Sequence, residues 1–225
     1  ADGYRWWMRR IEFQFRIFDT LRIDHFRGLD EYYAIPYGDA TARRGRWRPG
    51  PGKDFFRVLR ETLGDRDIIA EDLGFLTDSV RELLEYSGYP GMKVLQFAFY
   101  GCDHTNGYLP HNYPKRCVVY AGTHDNDTIL AWLDTLKDDE LDYAHHYLRL
   151  HPEEGFHWGA MRTAWASPAD LAVMQMQDIL GLGSKSRTNT PSTLGCNWRW
   201  HLIPGQLTGE LADKLRGDMV AFCRV

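Results

Sequence analysis

The chain has 225 residues, 44% of them hydrophobic, and a formal net charge of −4. That length supports one sizeable core and favours a single domain, while the missing basic surplus argues against a nucleic-acid partner, since nothing would displace phosphate counterions. No apolar run approaches the roughly eighteen residues of a membrane helix, and Ala1-Asp2-Gly3-Tyr4-Arg5-Trp6-Trp7 lacks the basic head and apolar block of a signal peptide.

In chain order, a helical stretch through Arg9-Arg10-Ile11-Glu12-Phe13 leads to a first short strand, Thr20-Leu21-Arg22-Ile23-Asp24. A loop rich in Gly, Pro and Arg runs from Gly38 to Lys53, and its basic part, Arg43-Arg44-Gly45-Arg46-Trp47-Arg48, reads as a solvated loop face. Phe55, Phe56, Val58, Leu59 and Leu63 repeat at helical spacing, with Gly64 placed to end the helix. The second strand, Ile68-Ile69-Ala70, is apolar on both faces, as a parallel strand covered by helices should be. Thr77 is placed to cap a helix through Val80, Leu83, Leu84 and Tyr86, which Gly88 and Pro90 stop.

A third strand is predicted from Met92 to Phe99, followed by a polar loop to Pro114, and a fourth from Cys117 to Ala121. Helical patterns then cover about 128–136, 138–150 and 157–166. A last apolar run, Leu171 to Met176, precedes Gln177-Asp178-Ile179-Leu180-Gly181, and the end is loop followed by a helix around Leu211–Phe222. Trp132, Trp158 and Trp165 fall on helices and are expected to pack the core, whereas Phe97 and Phe99 fall where the third strand ends. Strands alternating with helices indicate a parallel α/β sheet. Five strands are fewer than a closed eight-stranded barrel needs, and the chain opens inside an amphipathic helix without an initiator Met. The sequence therefore reads as part of a longer protein, with a five-stranded open sheet of the flavodoxin type as the alternative.

Cys102, Cys117, Cys196 and Cys223 show no paired short spacing, so neither a disulfide framework nor a zinc ribbon is expected, and a reducing cytoplasm is the default compartment. His145, His146, His151 and His157 have no accompanying acidic helix motif, and i, i+1 neighbours face different ways, so no metal site is expected.

Chemistry concentrates where apolar strands give way to polar loops. Asp24 follows Leu21-Arg22-Ile23, Glu71 follows Ile68-Ile69-Ala70, and Asp125 follows Cys117 to His124. Acids at the ends of successive strands can converge on the rim of a (β/α) barrel. Two carboxylates flanking a glycosidic bond suffice for hydrolysis or transfer. The nucleophile must stay ionised, and Arg22, two residues before Asp24 and on the same strand face, can hold it so. The acid/base needs an apolar surround that favours its protonated form, which the run before Glu71 suggests. Asp125, beside His124, can serve developing charge on the sugar ring. Eight Trp and twelve Tyr add flat rings suited to sugar faces.

These same segments resemble the amylomaltase family, the 4-α-glucanotransferases whose plant members are the disproportionating enzymes. Arg22-Ile23-Asp24-His25-Phe26-Arg27-Gly28 with Tyr32-Tyr33-Ala34-Ile35-Pro36 looks like the family's nucleophile segment, and Ala70-Glu71-Asp72-Leu73-Gly74 like its acid/base segment. Gly91 to Phe99 is similar to its next strand, and His111-Asn112-Tyr113 with Gly122-Thr123-His124-Asp125-Asn126-Asp127-Thr128 to its third acidic segment. Gln177 to Ser184, Arg187-Thr188-Asn189-Thr190-Pro191 and Asn197-Trp198-Arg199-Trp200 resemble its C-terminal signatures.

The resemblance implies an α/β fold of the parallel (β/α) barrel, alpha-amylase-like type, present only as its C-terminal portion (about strands 4 to 8), with residues 1–225 as part of a single catalytic (β/α)8 domain. It implies Asp24 as nucleophile, Glu71 as acid/base and Asp125 as transition-state stabiliser. Arg22 and His124 would line the donor sugar site, Phe97 would sit on the acceptor side, and Asn189 near bound sugar. The expected activity is retaining transfer of alpha-1,4-glucan segments between maltooligosaccharides or starch-type glucans, without metal or organic cofactor. It would depend on an N-terminal part of the barrel absent from this sequence. A retaining alpha-glucan hydrolase and a non-catalytic carbohydrate-binding partial domain are the alternatives.

Overall fold

The computed structural model describes residues 2–224, and their contacts divide them into two compact units, one up to Met92 and one from Lys93 onward. The first unit opens with helix α1 (Arg5–Gln14), strand β1 (Leu21–Ile23), an antiparallel pair β2 (Glu31–Ala34) and β3 (Arg46–Pro49), helix α2 (Lys53–Leu63), strand β4 (Ile68–Ala70) and helix α3 (Asp78–Ser87). Strands β1 and β4 pair in parallel with Leu21 opposite Ile68, Arg22 opposite Ile69 and Ile23 opposite Ala70. All three β4 residues are buried. Helix α2 covers the core with Phe55, Phe56 and Leu59, and α3 with Val80 and Leu83. Phe26 is fully buried and stacks on Phe56 at 5.4 Å between centroids. Each such side chain removed from water contributes about 1.5–3 kcal/mol.

The helix stops follow the sequence. Gly64 ends α2 at φ 71, and Gly88 ends α3 in the left-handed region, its N–H shared by the Leu84 and Glu85 carbonyls. Thr77 does occupy the N-cap position of α3, but its hydroxyl lies 3.0 Å from Ser79 Oγ and caps no backbone N–H.

The basic run at 43–48 differs from its expected loop. Residues 46–49 form β3, with Tyr33 opposite Trp47. The two rings meet edge to face at 5.3 Å, and the Arg27 guanidinium lies 4.4 Å from the Trp47 ring centroid. A side chain at Gly45 would collide with the Tyr33 ring, so the glycine permits the hairpin to close. Aromatic cross-strand pairing outweighs the polar composition here. The expected solvation holds, since every residue of β3 is exposed.

Strand β5 (Gly91–Val94) ends in the second unit, which continues with β6 (Cys117–Tyr120), helices α4 (Ile129–Leu133), α5 (Asp138–Leu148) and α6 (Phe156–Trp165), strand β7 (Leu171–Val173), and helices α7 (Met176–Ile179) and α8 (Gly209–Ala221). The sheet order is β5-β6-β7, and β6 and β7 run parallel with Val118 opposite Leu171. Trp132, Trp158 and Trp165 belong to its core, as expected. Trp158 Nε1–H donates to Asp218 on α8 at 2.7 Å. Parallel strand pairs interleaved with helices make the fold α/β. Among the described residues, no helix is long and apolar enough to cross a membrane.

Two strand predictions run too far. The third strand stops at Val94, and Leu95–Phe97 is a 3-10 turn. A strand would put alternate residues on opposite faces, whereas the turn buries Leu95, Gln96, Ala98 and Phe99 together. Phe99, at the end of the predicted third strand, is fully buried and packs on Trp132, Tyr143 and Tyr147. The run 171–176 is a strand only to Val173, because Met176 already begins α7.

Candidate active site

Asp24 and Glu71 stand one step beyond the last registered pair of β1 and β4, Ile23 and Ala70. The pairing continues past the strands, with the Glu71 N–H donating to the Ile23 carbonyl at 2.9 Å and the Phe26 N–H to the Glu71 carbonyl at 3.0 Å. Neighbouring strands lie about 4.8 Å apart, so the two acids rise from adjacent backbone positions. Arg22 shares a face with Asp24 through the two-residue strand period, and its Nη2 donates to Asp24 Oδ1 at 2.9 Å. The Asp24 side chain is 75% exposed and that of Arg22 24%. One carboxylate oxygen is held while the group remains presented to solvent.

Glu71 is held differently from the expectation. The strand behind it is apolar, yet its own oxygens accept main-chain donors: His25 N–H to Oε2 at 2.6 Å and Leu73 N–H to Oε1 at 2.9 Å. His25 aims its N–H this way from the left-handed region, φ 50 and ψ 54, a conformation that costs a non-glycine residue about 1–3 kcal/mol. Asp72 turns the other way. It is buried, accepts the Met92 N–H at 2.6 Å, and a Cβ on Gly91 would lie 2.5 Å from its Oδ2. Of two consecutive acids, one braces the next strand and the other stays at the strand end.

In the second unit, Asp125 belongs to the turn after β6. The turn is closed by Asn126, whose Oδ1 accepts both the N–H and the hydroxyl of Thr123 at 2.9 and 2.8 Å. Asn189 Nδ2 donates to Asp125 Oδ1 at 2.5 Å, and His124 Nε2 lies 3.5 Å from Oδ2. The Asn189 N–H donates to the His124 carbonyl at 3.0 Å, and the Trp198 ring lies 5.1 Å from that of His124. The structure thus brings His124, Asp125 and Asn189 together. Phe97 is half-buried and meets Tyr108 edge-on at 5.4 Å, while Asn106 Nδ2 donates to its carbonyl at 3.0 Å.

Several residues in these arrangements were not singled out by sequence. Arg187 donates from Nη2 to the Asp125 carbonyl at 2.6 Å. Asp178 is 1% exposed, and its Oδ1 accepts the Ile129 N–H at 2.7 Å at the start of α4. Burial pushes its carboxyl up to about 7, against the pull of the Ile129 N–H and with some help from the Asp127 charge. Arg187, Trp198 and Asp178 all lay in segments noted as signatures, but their spacing carried no chemical meaning. His25 acts through its main chain, for which a side-chain reading has no signal. A wide concavity of about 830 Å³ lies along α1 among Arg5, Trp6, Arg9, Arg10, Phe13 and Arg16, and none of the three candidate acids lines it.

Comparison with known proteins shows the family. The sequence profile described as 4-alpha-glucanotransferase matches residues 1–206. The 4-alpha-glucanotransferase of Clostridium butyricum is 47% identical over 214 residues, covering 95% of this chain and 44% of that protein. The chloroplastic/amyloplastic 4-alpha-glucanotransferase of Arabidopsis thaliana is 47% identical over 228 residues, covering 100% of this chain and 39% of that protein. The solved amylomaltase from Streptococcus agalactiae, in complex with acarbose, superposes with a TM-score of 0.95 at 37% identity, covering 98% of this chain and 45% of that one. The chain spans less than half the length of each of these relatives. It belongs to the 4-alpha-glucanotransferase family.

Proposed function

We propose that the chain carries the catalytic acids of a 4-alpha-glucanotransferase that moves alpha-1,4-linked glucan segments between maltooligosaccharides or starch-type glucans with retention of configuration. Asp24 attacks the anomeric carbon while Glu71 protonates the leaving oxygen, which yields a glucosyl-enzyme ester and a shortened glucan. Glu71 then takes the proton of an incoming 4-hydroxyl as that oxygen displaces Asp24. Asp125 stabilises the charged transition state, Arg22 and His124 line the donor sugar, Phe97 offers its ring to the acceptor, and Asn189 lies near bound sugar while holding Asp125. This chemistry calls for no metal or organic cofactor, and a reducing cytoplasm suits the free cysteines.

The observation that carries the reading is the pair Asp24 and Glu71, one step beyond the registered ends of adjacent parallel strands, with Arg22 on Asp24. Each Glu71 oxygen accepts one main-chain N–H and keeps a second lone-pair site for the proton it passes to the leaving group. The likeness to the Streptococcus agalactiae amylomaltase supports residues 1–225 as the C-terminal portion, about strands four to eight, of one α-amylase-like (β/α) barrel domain. An N-terminal portion such as the relatives carry is required for turnover. Trp6, Phe13 and Ile17, each more than half exposed, are apolar surface for it to cover.

The test joins this chain to the N-terminal portion of the Clostridium butyricum relative and supplies maltotriose. Glucose plus a ladder of longer maltooligosaccharides is expected, and Asp24→Asn should abolish both. Glucose and maltose without longer products would replace the transferase by a hydrolase. Sugar binding without turnover would leave a binding domain. Disproportionation at an ordinary enzymatic rate by residues 1–225 alone would remove the requirement for the N-terminal portion.

A further inference from the structure

Asp125 occupies a loop and its side chain is 49% exposed, yet a group that stabilises charge on a reacting ring has to be placed to within a fraction of an ångström. Neither the Asn189 amide nor the His124 ring supplies that rigidity alone, since both belong to neighbouring loop backbone. The guanidinium of Arg187 ties these loops together. Nη2 donates to the Asp125 carbonyl at 2.6 Å, Nε to the Asn189 carbonyl at 2.8 Å, and Nη1 lies 3.5 Å from Asp127 Oδ2. Asp127 is anchored in turn, its Oδ2 by Ser184 Oγ at 2.7 Å, its Oδ1 by the Thr128 N–H at 2.8 Å, and its carbonyl by Gln96 Nε2 at 2.8 Å. Both ends of the Asn189-to-Asp125 hydrogen bond are therefore set by one side chain.

We propose that Arg187 is a positioning residue of the glucan transfer reaction, which keeps the Asp125 carboxylate and its Asn189 partner aimed at the sugar ring as charge develops. The inference rests on the reading of Asp125 as transition-state stabiliser. Each of the three guanidinium nitrogens faces a protein acceptor, so the contacts of Arg187 act through Asp125, Asn189 and Asp127. Its effect belongs on kcat, with KM little changed. A lysine ammonium cannot reach three acceptors that lie around a planar fork.

The test uses the enzyme assembled from this chain and the N-terminal portion of its relatives, with maltotriose as substrate. Arg187→Lys and Arg187→Ala are expected to lower kcat about 10²-fold, the scale of a displaced electrostatic stabiliser, with KM within about threefold. Guanidinium ion added to Arg187→Ala should recover about tenfold in kcat. Unchanged kcat in both variants, while Asp125→Asn falls steeply, would overturn the role of Arg187 alone. Unchanged kcat in Asp125→Asn would overturn the stabiliser reading and this inference with it. A lowered melting midpoint accompanied by a proportional loss in active protein, with kcat per folded molecule unchanged and no rescue, would reduce Arg187 to a structural residue.

Discussion

The first unit sets its two acids by strand register and clamps Glu71 with backbone, leaving one side-chain partner, Arg22, on Asp24, whereas the second holds its acid with side chains from distant loops. Asp24 and Glu71 are set by the register of two parallel strands, and Glu71 accepts only main-chain N–H groups in the contacts described above. Asp125 is oriented by Asn189, Arg187 and His124. Backbone placement is stiff and tolerant of side-chain change, because the donors survive almost any substitution. Side-chain placement is adjustable and correspondingly fragile. The pair of groups that must meet covalent and proton-transfer geometry stands on the stiffer support, and the group that acts through charge stands on the adjustable one.

The sharpest way to probe the backbone-held pair is to change the acids themselves in the assembled enzyme. Asp24→Asn should lower kcat by about 10⁴-fold or more, as expected for a lost nucleophile, with stability within about 0.5 kcal/mol because the side chain is mostly exposed. A thermal midpoint well below that of the parent would show that Asp24 supports the fold. Glu71→Gln should lower kcat by about 10²–10⁴-fold. It should also cost about 1–3 kcal/mol of stability, since its amide NH₂ must face one of the two main-chain donors. Chemical denaturation should separate the two variants, and equal stabilities would break the contrast between an exposed and a clamped acid.

The foundation of the side-chain-held acid should be sensitive to pH. Asp178 lies behind the Asp125–Asp127 turn at the start of α4, and its carboxyl titrates near 7 in the fold against 3.8 unperturbed. Between those values the folded protein keeps a proton that the unfolded chain has lost, so stability falls as pH rises from about 4 to about 7 and levels off above. Asp178→Asn keeps the acceptor for the Ile129 N–H and removes the titration. The variant should be more stable than the parent by about 2–4 kcal/mol at pH 8, with the difference gone below pH 4. Thermal midpoints at pH 5 and pH 8 check this, and parallel pH slopes in parent and variant would refute it. The smallest effect is expected from Asn189→Ala, about tenfold in kcat, because Asp125 keeps its Arg187 and His124 partners. A loss as large as that of Glu71→Gln would put Asn189 on the sugar itself.

What the sequence by itself determined was local. A two-residue period puts Arg22 beside Asp24, an apolar triplet buries β4 and ends at Glu71, helical spacing buries Phe55, Phe56 and Leu59, and glycines end α2 and α3. The motifs in their order were enough to identify the family. Tertiary structure decided the matters that depend on residues far apart. It turned Asp72 into the sheet and left Glu71 at the strand end, clamped by an N–H 46 residues away. It paired Arg46–Pro49 with a strand whose aromatic ring needed Gly45, limited β5 to four residues, and buried Phe99 in the core. It brought Arg187 and Asn189 to Asp125 across 62 and 64 residues. The division has one physical cause. Side-chain direction along a strand or helix repeats over two to four residues and is written in the sequence pattern, whereas a hydrogen-bond partner is whichever group packing delivers within about 3 Å.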